Sequence, residues 1–69
     1  MKYIELNAFL KVKGIASTGG EAKNLIRNEQ IKVNNVIETR NKRKLIKDDI
    51  VIYNDQNYIV EEQFLLKEK

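Results

Sequence analysis

The most concentrated chemistry in the chain is a short run of cationic side chains. Five of the eight residues from position 40 to position 47 are cations and none is an acid: Arg40, Lys42, Arg43, Lys44 and Lys47. A flexible loop with this much positive charge repels itself, and contact with phosphate groups relieves the repulsion. The run therefore predicts a solvated loop that binds a polyanion.

Further cations are spaced for the surfaces of two helices. Lys23 and Arg27 lie four positions apart, so they project from the same side of one predicted helix. Lys11 and Lys13 fall at the end of an earlier helix, where positive charge also favours the helix dipole. Polyanion binding and helix stabilisation both remain open for this second pair.

The charge is distributed unevenly along the chain. Residues 1–47 hold eleven Lys and Arg against four Glu, whereas residues 48–69 hold two Lys against six Asp and Glu. The formal net charge of +3 thus divides into +7 and −4. This division indicates a basic surface beside an acidic flank, although general solubility would explain the charge equally well.

Catalytic groups are scarce. The sequence has no His and no Cys, which excludes imidazole bases, thiol nucleophiles, disulfides and the usual zinc sites. Ser17, Thr18 and Thr39 are the only aliphatic hydroxyls, and helix capping accounts for the first two. We therefore predict a protein that is not an enzyme and that holds no metal and no cofactor.

The length of 69 residues leaves room for one domain with one hydrophobic core. The longest apolar run, Ile50–Tyr53, is far shorter than the roughly 20 residues of a membrane span. We expect a single domain over residues 1–69, with no membrane contact and a cytoplasmic location.

Apolar spacing predicts two short antiparallel helices. The first follows a short strand at Tyr3 and Ile4, and it buries three residues at helical spacing: Leu6, Phe9 and Leu10. We assign Asn7 as its N-cap and Gly14 as its stop. The second helix begins at a capping box over residues 18–21, and its core face comprises Ala22, Leu25 and Ile26.

Alternation of apolar and polar residues predicts two strand pairs. The predicted strands cover residues 31–33, 36–37, 50–53 and 58–60. Asn34 and Asn35 read as the tight turn of the first pair. Residues 61–69 fit a strand, a helical turn or a frayed tail. The fold class is therefore α+β, with two helices packed on a small antiparallel sheet.

An ordered set of short motifs resembles the S4 RNA-binding domain. The motifs are Leu6-x-x-Phe9-Leu10, Gly14-Ile15-Ala16-Ser17, Glu21-Ala22-Lys23, Leu25-Ile26, Ile31-Lys32-Val33-Asn34 and Asp49-Ile50-Val51. Segments 14–23 and 38–40 are most similar to the small bacterial single-domain members of the YaaA and YbcJ type. The resemblance implies the S4-like (αL motif) fold over residues 3–60, with residues 61–69 as a C-terminal extension.

The resemblance also implies an RNA-binding surface without catalysis. The expected partner is structured RNA, with ribosomal RNA first and transfer RNA as the alternative, and the protein would associate with the ribosome or assist its assembly. Carried over by position, the helical side of the surface comprises Lys11, Lys13, Ser17, Thr18, Lys23 and Arg27. The hairpin side comprises Lys32, Asn34, Arg40, Lys42, Arg43 and Lys44.

Three residues depart from the family pattern by standing where it usually has glycine: Glu29, Asn35 and Asp48. Asn and Asp tolerate left-handed backbone better than most residues. Glu does not, so we expect either that Asn28 takes the left-handed position or that the second helix ends differently.

Two other functions would use the same charges. A protein-interaction adaptor would dock an acidic partner on the basic face, and its complex would survive an excess of ribosomal RNA. DNA binding would be revealed by competition with duplex DNA. The three Tyr and two Phe are too few, once most enter the core, for a platform that stacks single-stranded bases.

Overall fold

Two helices and seven short strands make up the fold over residues 1–68, the part of the chain that the computed structural model describes. In chain order the elements are β1 (Lys2–Glu5), α1 (Leu6–Val12), α2 (Gly19–Arg27), β2 (Ile31–Val33), β3 (Val36–Ile37), β4 (Lys44–Leu45), β5 (Ile50–Tyr53), β6 (Gln56–Ile59), a 3-10 turn (Glu62–Phe64) and β7 (Lys67–Glu68). These elements confirm the predicted α+β class.

The strands form two antiparallel sheets rather than the single small sheet expected from the sequence. One sheet has the strand order β3-β2-β5-β6, and the other has the order β4-β1-β7. The second sheet forms because residues 44–45, expected in a solvated loop, pair with the first strand. Ile4 lies opposite Leu45, and Glu5 lies opposite Lys44. This pairing anchors the end of the cationic run to the fold.

A hydrophobic core joins both helices to both sheets. Its members are at most 3% exposed and comprise Ile4, Leu6, Phe9, Leu10, Ala16, Ala22, Ile26, Ile31, Val33, Leu45, Val51 and Val60. In α2, Ala22 and Ile26 are fully buried, whereas Leu25 is only partly buried. Leu25 packs against the same core, so the predicted core face of α2 is confirmed, with Ala22 and Ile26 more deeply buried than Leu25.

Helix α1 begins earlier than predicted. It starts at Leu6, directly after β1, and Asn7 lies inside its first turn. The backbone N–H groups of Leu6 and Asn7 donate to the carbonyl oxygens of Arg43 and Asn41 at 2.8 and 3.0 Å. The prediction of Asn7 as N-cap is wrong, because these carbonyl groups already accept hydrogen bonds from the start of the helix.

Both helices end in the same backbone motif. After α1, Gly14 has a φ of 73°, and the next N–H donates to the Leu10 carbonyl at 2.9 Å, as predicted for a glycine stop. After α2, Glu29 has a φ of 62°, and the next N–H donates to the Leu25 carbonyl at 3.0 Å. Glu29 itself occupies the left-handed position of a Schellman motif, so both expectations for this helix end are wrong.

Two turns contain the other residues that replace family glycines. The φ angle is 70° at Asn35 and 74° at Asp48. Short polar side chains are the ones that tolerate this conformation best after glycine. The chain therefore makes both turns without glycine.

The segment that follows β6 contains both a helical turn and a strand, two of the three structures that the sequence left open for residues 61–69. Glu62–Phe64 form the 3-10 turn, and β7 pairs with β1 so that Tyr3 lies opposite Lys67. The rings of Phe9 and Phe64 meet edge to face, with their centres 6.1 Å apart. The part of the expectation that concerns Lys69 lies outside the described residues.

Candidate nucleic-acid interface

Residues 40–44, which we call the cationic loop, are held on both sides by backbone contacts. The carbonyl groups of Asn41 and Arg43 accept hydrogen bonds from the first turn of α1, and Lys44 begins β4. The loop is exposed at Arg40 and Lys42 as expected, but its backbone is tied to the start of α1 and its last residue lies in a strand.

A buried carboxylate lies next to the cationic loop. The N–H of Glu38 donates to the carbonyl of Ile31 at 3.0 Å, which continues the pairing of β2 with β3 by one residue. Side chains alternate along an extended strand, so Glu38 turns away from the exposed face that carries Ile37. The Glu38 side chain is only 8% exposed.

Glu38 binds two arginines of the loop. Its Oε2 accepts from Nε and from the backbone N–H of Arg40, at 3.0 and 2.9 Å. Its Oε1 accepts from Nη2 of Arg40 at 3.0 Å and from Nη1 of Arg43 at 2.9 Å. The sequence prediction overlooked this acid, although Glu38 stands two residues before Arg40 and therefore on the same side of an extended chain.

This network changes the proton affinity of its members. The side-chain hydrogen bond from Arg40 lowers the pKa of Glu38 from 4.5 to about 2, against the opposing effect of burial and with further help from the Arg40 backbone and Arg43. The same hydrogen bond raises the pKa of Arg40. The ion pair therefore persists far into the acidic range.

Arg40 presents the remaining edge of its guanidinium to solvent. Its Nε and Nη2 atoms bind Glu38, while Nη1 makes no hydrogen bond within residues 1–68. The Arg40 side chain is 71% exposed, compared with 27% for Arg43. A phosphate therefore has access to Arg40 on the side away from Glu38, without breaking the ion pair.

The cations of the loop line one concavity of about 460 Å³, which is open to solvent: Arg40, Lys42, Arg43 and Lys44. Lys42 is exposed and forms no ion pair within the described part of the chain. The ammonium group of Lys44 lies 5.3 Å from the ring centre of Tyr3. An open concavity with this charge suits the backbone of a nucleic acid better than an enclosed small ligand.

The two lysines of the first helix have different surroundings. Lys11 is exposed and shares a face of α1 with Asn7, whose N–H binds the cationic loop. Lys13 lies at the end of α1, with its ammonium 4.5 Å from the ring centre of Phe64 and 6.0 Å from that of Phe9. Lys11 is therefore open to a ligand, whereas Lys13 is engaged with the aromatic pair.

Helix α2 presents two exposed cations and carries its own cap. Lys23 and Arg27 are exposed one turn apart, with no ion pair in the region of residues 1–68. The Thr18 Oγ1 accepts from the N–H of Glu21 at 3.1 Å, and the Glu21 carboxylate accepts from the N–H of Ser17 at 2.9 Å. The predicted Thr18 cap is confirmed, but the Glu21 carboxylate accepts from Ser17, one residue before the cap, and not from Thr18 as the predicted capping box requires. The Thr18 hydroxyl is therefore engaged at the start of α2, whereas Ser17 takes part only through its backbone N–H.

The hairpin residues differ in how free their polar groups are. Lys32 lies on the exposed face of β2, opposite Ile37. Both ends of the Asn34 amide are bound, because Nδ2 donates to the Asp49 carboxylate at 3.1 Å and Oδ1 accepts from the N–H of Ile50 at 2.9 Å. Asn34 thus ties the hairpin turn to β5, while the ammonium of Lys32 faces solvent.

The charge of this surface suits the binding of anions. Its cationic side chains donate hydrogen bonds and supply positive charge. Among residues 1–68, no three His, Cys, Asp or Glu side chains come together as ligands for a metal ion. Neither described helix combines the length and apolar composition needed to cross a membrane.

The fold is a small α+β module in which the cations of the loop lie together between the start of α1 and β4. A family model described as the S4 domain matches residues 1–61. The chain therefore belongs to the S4 domain family, whose members generally bind RNA, and the resemblance seen in the sequence is confirmed. A comparison with curated proteins found no match.

Proposed function

We propose that this chain is a non-enzymatic, cytoplasmic protein that binds structured RNA through its basic surface. The observation that carries the proposal is the position of Arg40, whose guanidinium is fixed by Glu38 on one edge and open to solvent on the other. A guanidinium that is already ordered loses less conformational entropy when it binds a phosphate. The Arg40 guanidinium of the cationic loop is therefore preorganised for binding a phosphate.

The proposed binding surface combines the helical and hairpin sides. Its principal cations are exposed or line the loop concavity: Lys11, Lys23, Arg27, Lys32, Arg40, Lys42, Arg43 and Lys44. Ser17 is exposed, and its hydroxyl also remains a proposed RNA contact. Lys13, Thr18 and Asn34 contribute mainly by holding the helix ends and the hairpin turn in place. This division follows from the contacts that the second group already makes within the fold.

Ribosomal RNA is the partner that we propose first, with transfer RNA as the alternative. Cations that contact phosphates recognise the spacing of the RNA backbone, and recognition by shape needs few contacts with base edges. The order of these two partners follows from the resemblance to the S4 domain. The protein would then act while associated with the ribosome, with one of its subunits, or with a subunit during assembly.

The salt dependence of binding to structured ribosomal RNA fragments tests the proposal. We expect a log–log slope that corresponds to about four to six phosphate contacts. Lys42→Ala should weaken binding and lower the slope by about one contact. Lys2→Ala is the matched control, because it removes the same charge from an exposed lysine outside the proposed surface. A wild-type slope near zero would contradict phosphate binding.

Competition separates RNA from other anionic partners. Excess ribosomal RNA should displace a labelled structured RNA, whereas duplex DNA of equal charge should displace it less well. Equal competition by duplex DNA would indicate a general polyanion-binding protein. A complex with an acidic protein that withstands excess ribosomal RNA would favour the adaptor function instead.

A further inference from the structure

The outer face of the sheet β4-β1-β7 carries an aromatic ring that lies outside the core. Tyr3 precedes the buried Ile4 on β1, so the two side chains point to opposite faces of the sheet. Tyr53 and Tyr58 pack against the core, whereas the half-buried Tyr3 does not belong to that cluster. The ammonium group of Lys44 lies over its ring instead.

Tyr3 lines a small concavity that adjoins the cationic loop. The concavity measures about 240 Å³ and is lined by Met1, Tyr3, Lys44 and Ile46. Met1 and Ile46 are apolar and are 70% and 39% exposed. Lys44 lines both this concavity and that of the cationic loop. One ligand can therefore occupy both.

The charges on this face favour a phosphate beside the ring. Glu5 lies opposite Lys44 in the strand pair and would repel an anion if it were unpaired. Its carboxylate instead lies 3.4 Å from the ammonium of Lys67. The positive charge of Lys44 is thus available next to an apolar and aromatic concavity.

We propose that the concavity is a subsite for one unstacked nucleobase, which stacks on Tyr3 between Met1 and Ile46. This inference rests on the proposed function, because the cationic loop must hold the phosphates of the same RNA strand. Stacking on an aromatic ring stabilises a base more than an exposed cation–π contact stabilises an ammonium group. The base therefore displaces Lys44 from the ring, and Lys44 moves to the adjacent phosphate.

The subsite makes the proposed ligand more specific. A continuous RNA duplex keeps its bases stacked, whereas a bulge or loop offers a base that can leave the stack. The preferred RNA therefore has a helical stem beside an unpaired nucleotide. One half-buried ring suffices for one base, so this subsite needs no extended stacking platform.

Three RNAs of otherwise identical sequence test the inference: a continuous duplex, the duplex with a single bulged adenosine, and the duplex with an abasic bulge. We expect wild type to bind the adenosine bulge about tenfold more tightly than either of the other two. Equal affinity for the adenosine and abasic bulges would overturn the subsite, and this comparison requires no variant. Binding to the duplex reports the phosphate contacts separately, so failure of the subsite and failure of RNA binding give different results.

Variants then assign the preference to the ring. Tyr3→Val should abolish the preference for the bulged adenosine and leave duplex affinity unchanged, while Tyr3→Phe should retain the preference. Tyr53→Val is the matched control, because it removes a half-buried tyrosine ring from another strand, and folded protein should keep the preference. A preference that persists in folded Tyr3→Val, or one that is lost in folded Tyr53→Val, would overturn the assignment.

Discussion

Glu38 and Arg40 lie two residues apart, and the two carboxylate oxygens of Glu38 accept hydrogen bonds from Nε and Nη2 of Arg40, both at 3.0 Å. Arg43 binds the same carboxylate from the other end of the loop. Since Glu38 is buried and Arg40 is exposed, the network connects the interior to the surface that we propose for RNA. Changes to the loop arginines should therefore affect both stability and binding.

Removal of both loop arginines should destabilise the fold. Arg40→Ala with Arg43→Ala leaves a buried carboxylate without its charged donors, and the loss should clearly exceed the about 0.5 kcal/mol typical of exposed sites. Lys42→Ala should stay within that limit. Adding Glu38→Gln to the double variant should restore part of the stability, because it removes the buried charge. Urea denaturation measures the free energy of unfolding of the double variant, of Lys42→Ala and of the triple variant. If Glu38→Gln restores no stability, the cost of burying an unpaired charge is not the cause of the loss.

The lowered pKa of Glu38 predicts a loss of stability in acid. The folded pKa of about 2 lies below the ordinary value of 4.5, so the contribution is complete above that ordinary value and is lost as the pH falls toward about 2. Glu38→Gln cannot titrate at this position. The difference in unfolding free energy between wild type and Glu38→Gln should therefore shrink on acidification. A difference that stays constant down to about pH 2 would contradict the lowered pKa.

Replacement of Glu29 by glycine should stabilise the protein. Glu29 has a φ of 62°, and relief of this left-handed strain should raise the free energy of unfolding by about 1 kcal/mol, allowing for the greater flexibility of the unfolded glycine chain. Glu29→Gln removes the charge but keeps the strain, so it should change stability little. In thermal denaturation, the melting temperature of Glu29→Gly should be higher than those of wild type and Glu29→Gln. Identical melting temperatures would show that the backbone strain at Glu29 is negligible.

Gly14 provides the converse test of the same backbone position. Apart from Gly14 and its two chain neighbours, no residue has an atom within 4 Å of where a Cβ would stand, so Gly14→Ala introduces backbone strain without a clash. With a φ of 73°, we expect a loss of about 1 kcal/mol in the free energy of unfolding. Chemical denaturation measures the loss, and a neutral effect would mean that the helix end adjusts its backbone.

The core face of α2 can be checked by comparing two neighbours. Ile26 is fully buried, so Ile26→Ala should cost about 2 to 5 kcal/mol, and Leu25→Ala should cost less because Leu25 is already partly exposed. Ile26→Val, with an expected cost of about 1 kcal/mol, gives a measurable value if the alanine variant does not fold. Denaturant titrations measure the free energy of unfolding. A larger loss for Leu25→Ala than for Ile26→Ala would contradict the orientation of α2 described here.

The sequence by itself determined the features that depend on near neighbours along the chain. The apolar spacing of α1, the glycine stop at Gly14 and the N-cap at Thr18 involve residues that are at most five positions apart in the chain. The ordered motifs also identified the family that the S4 domain model matches. The cations of the loop could be identified from the sequence, because they are close together along the chain.

Tertiary structure decided how that run is used. Leu45 pairs with Ile4 across most of the chain length, and this contact turns the end of an expected loop into a strand. The backbone of Glu38 meets Ile31, which helps to bury the carboxylate that orders Arg40 and Arg43. Local spacing cannot reveal such contacts. Strand pairing depends on how all the elements pack around the core, and the burial of a charge depends on every element that surrounds it.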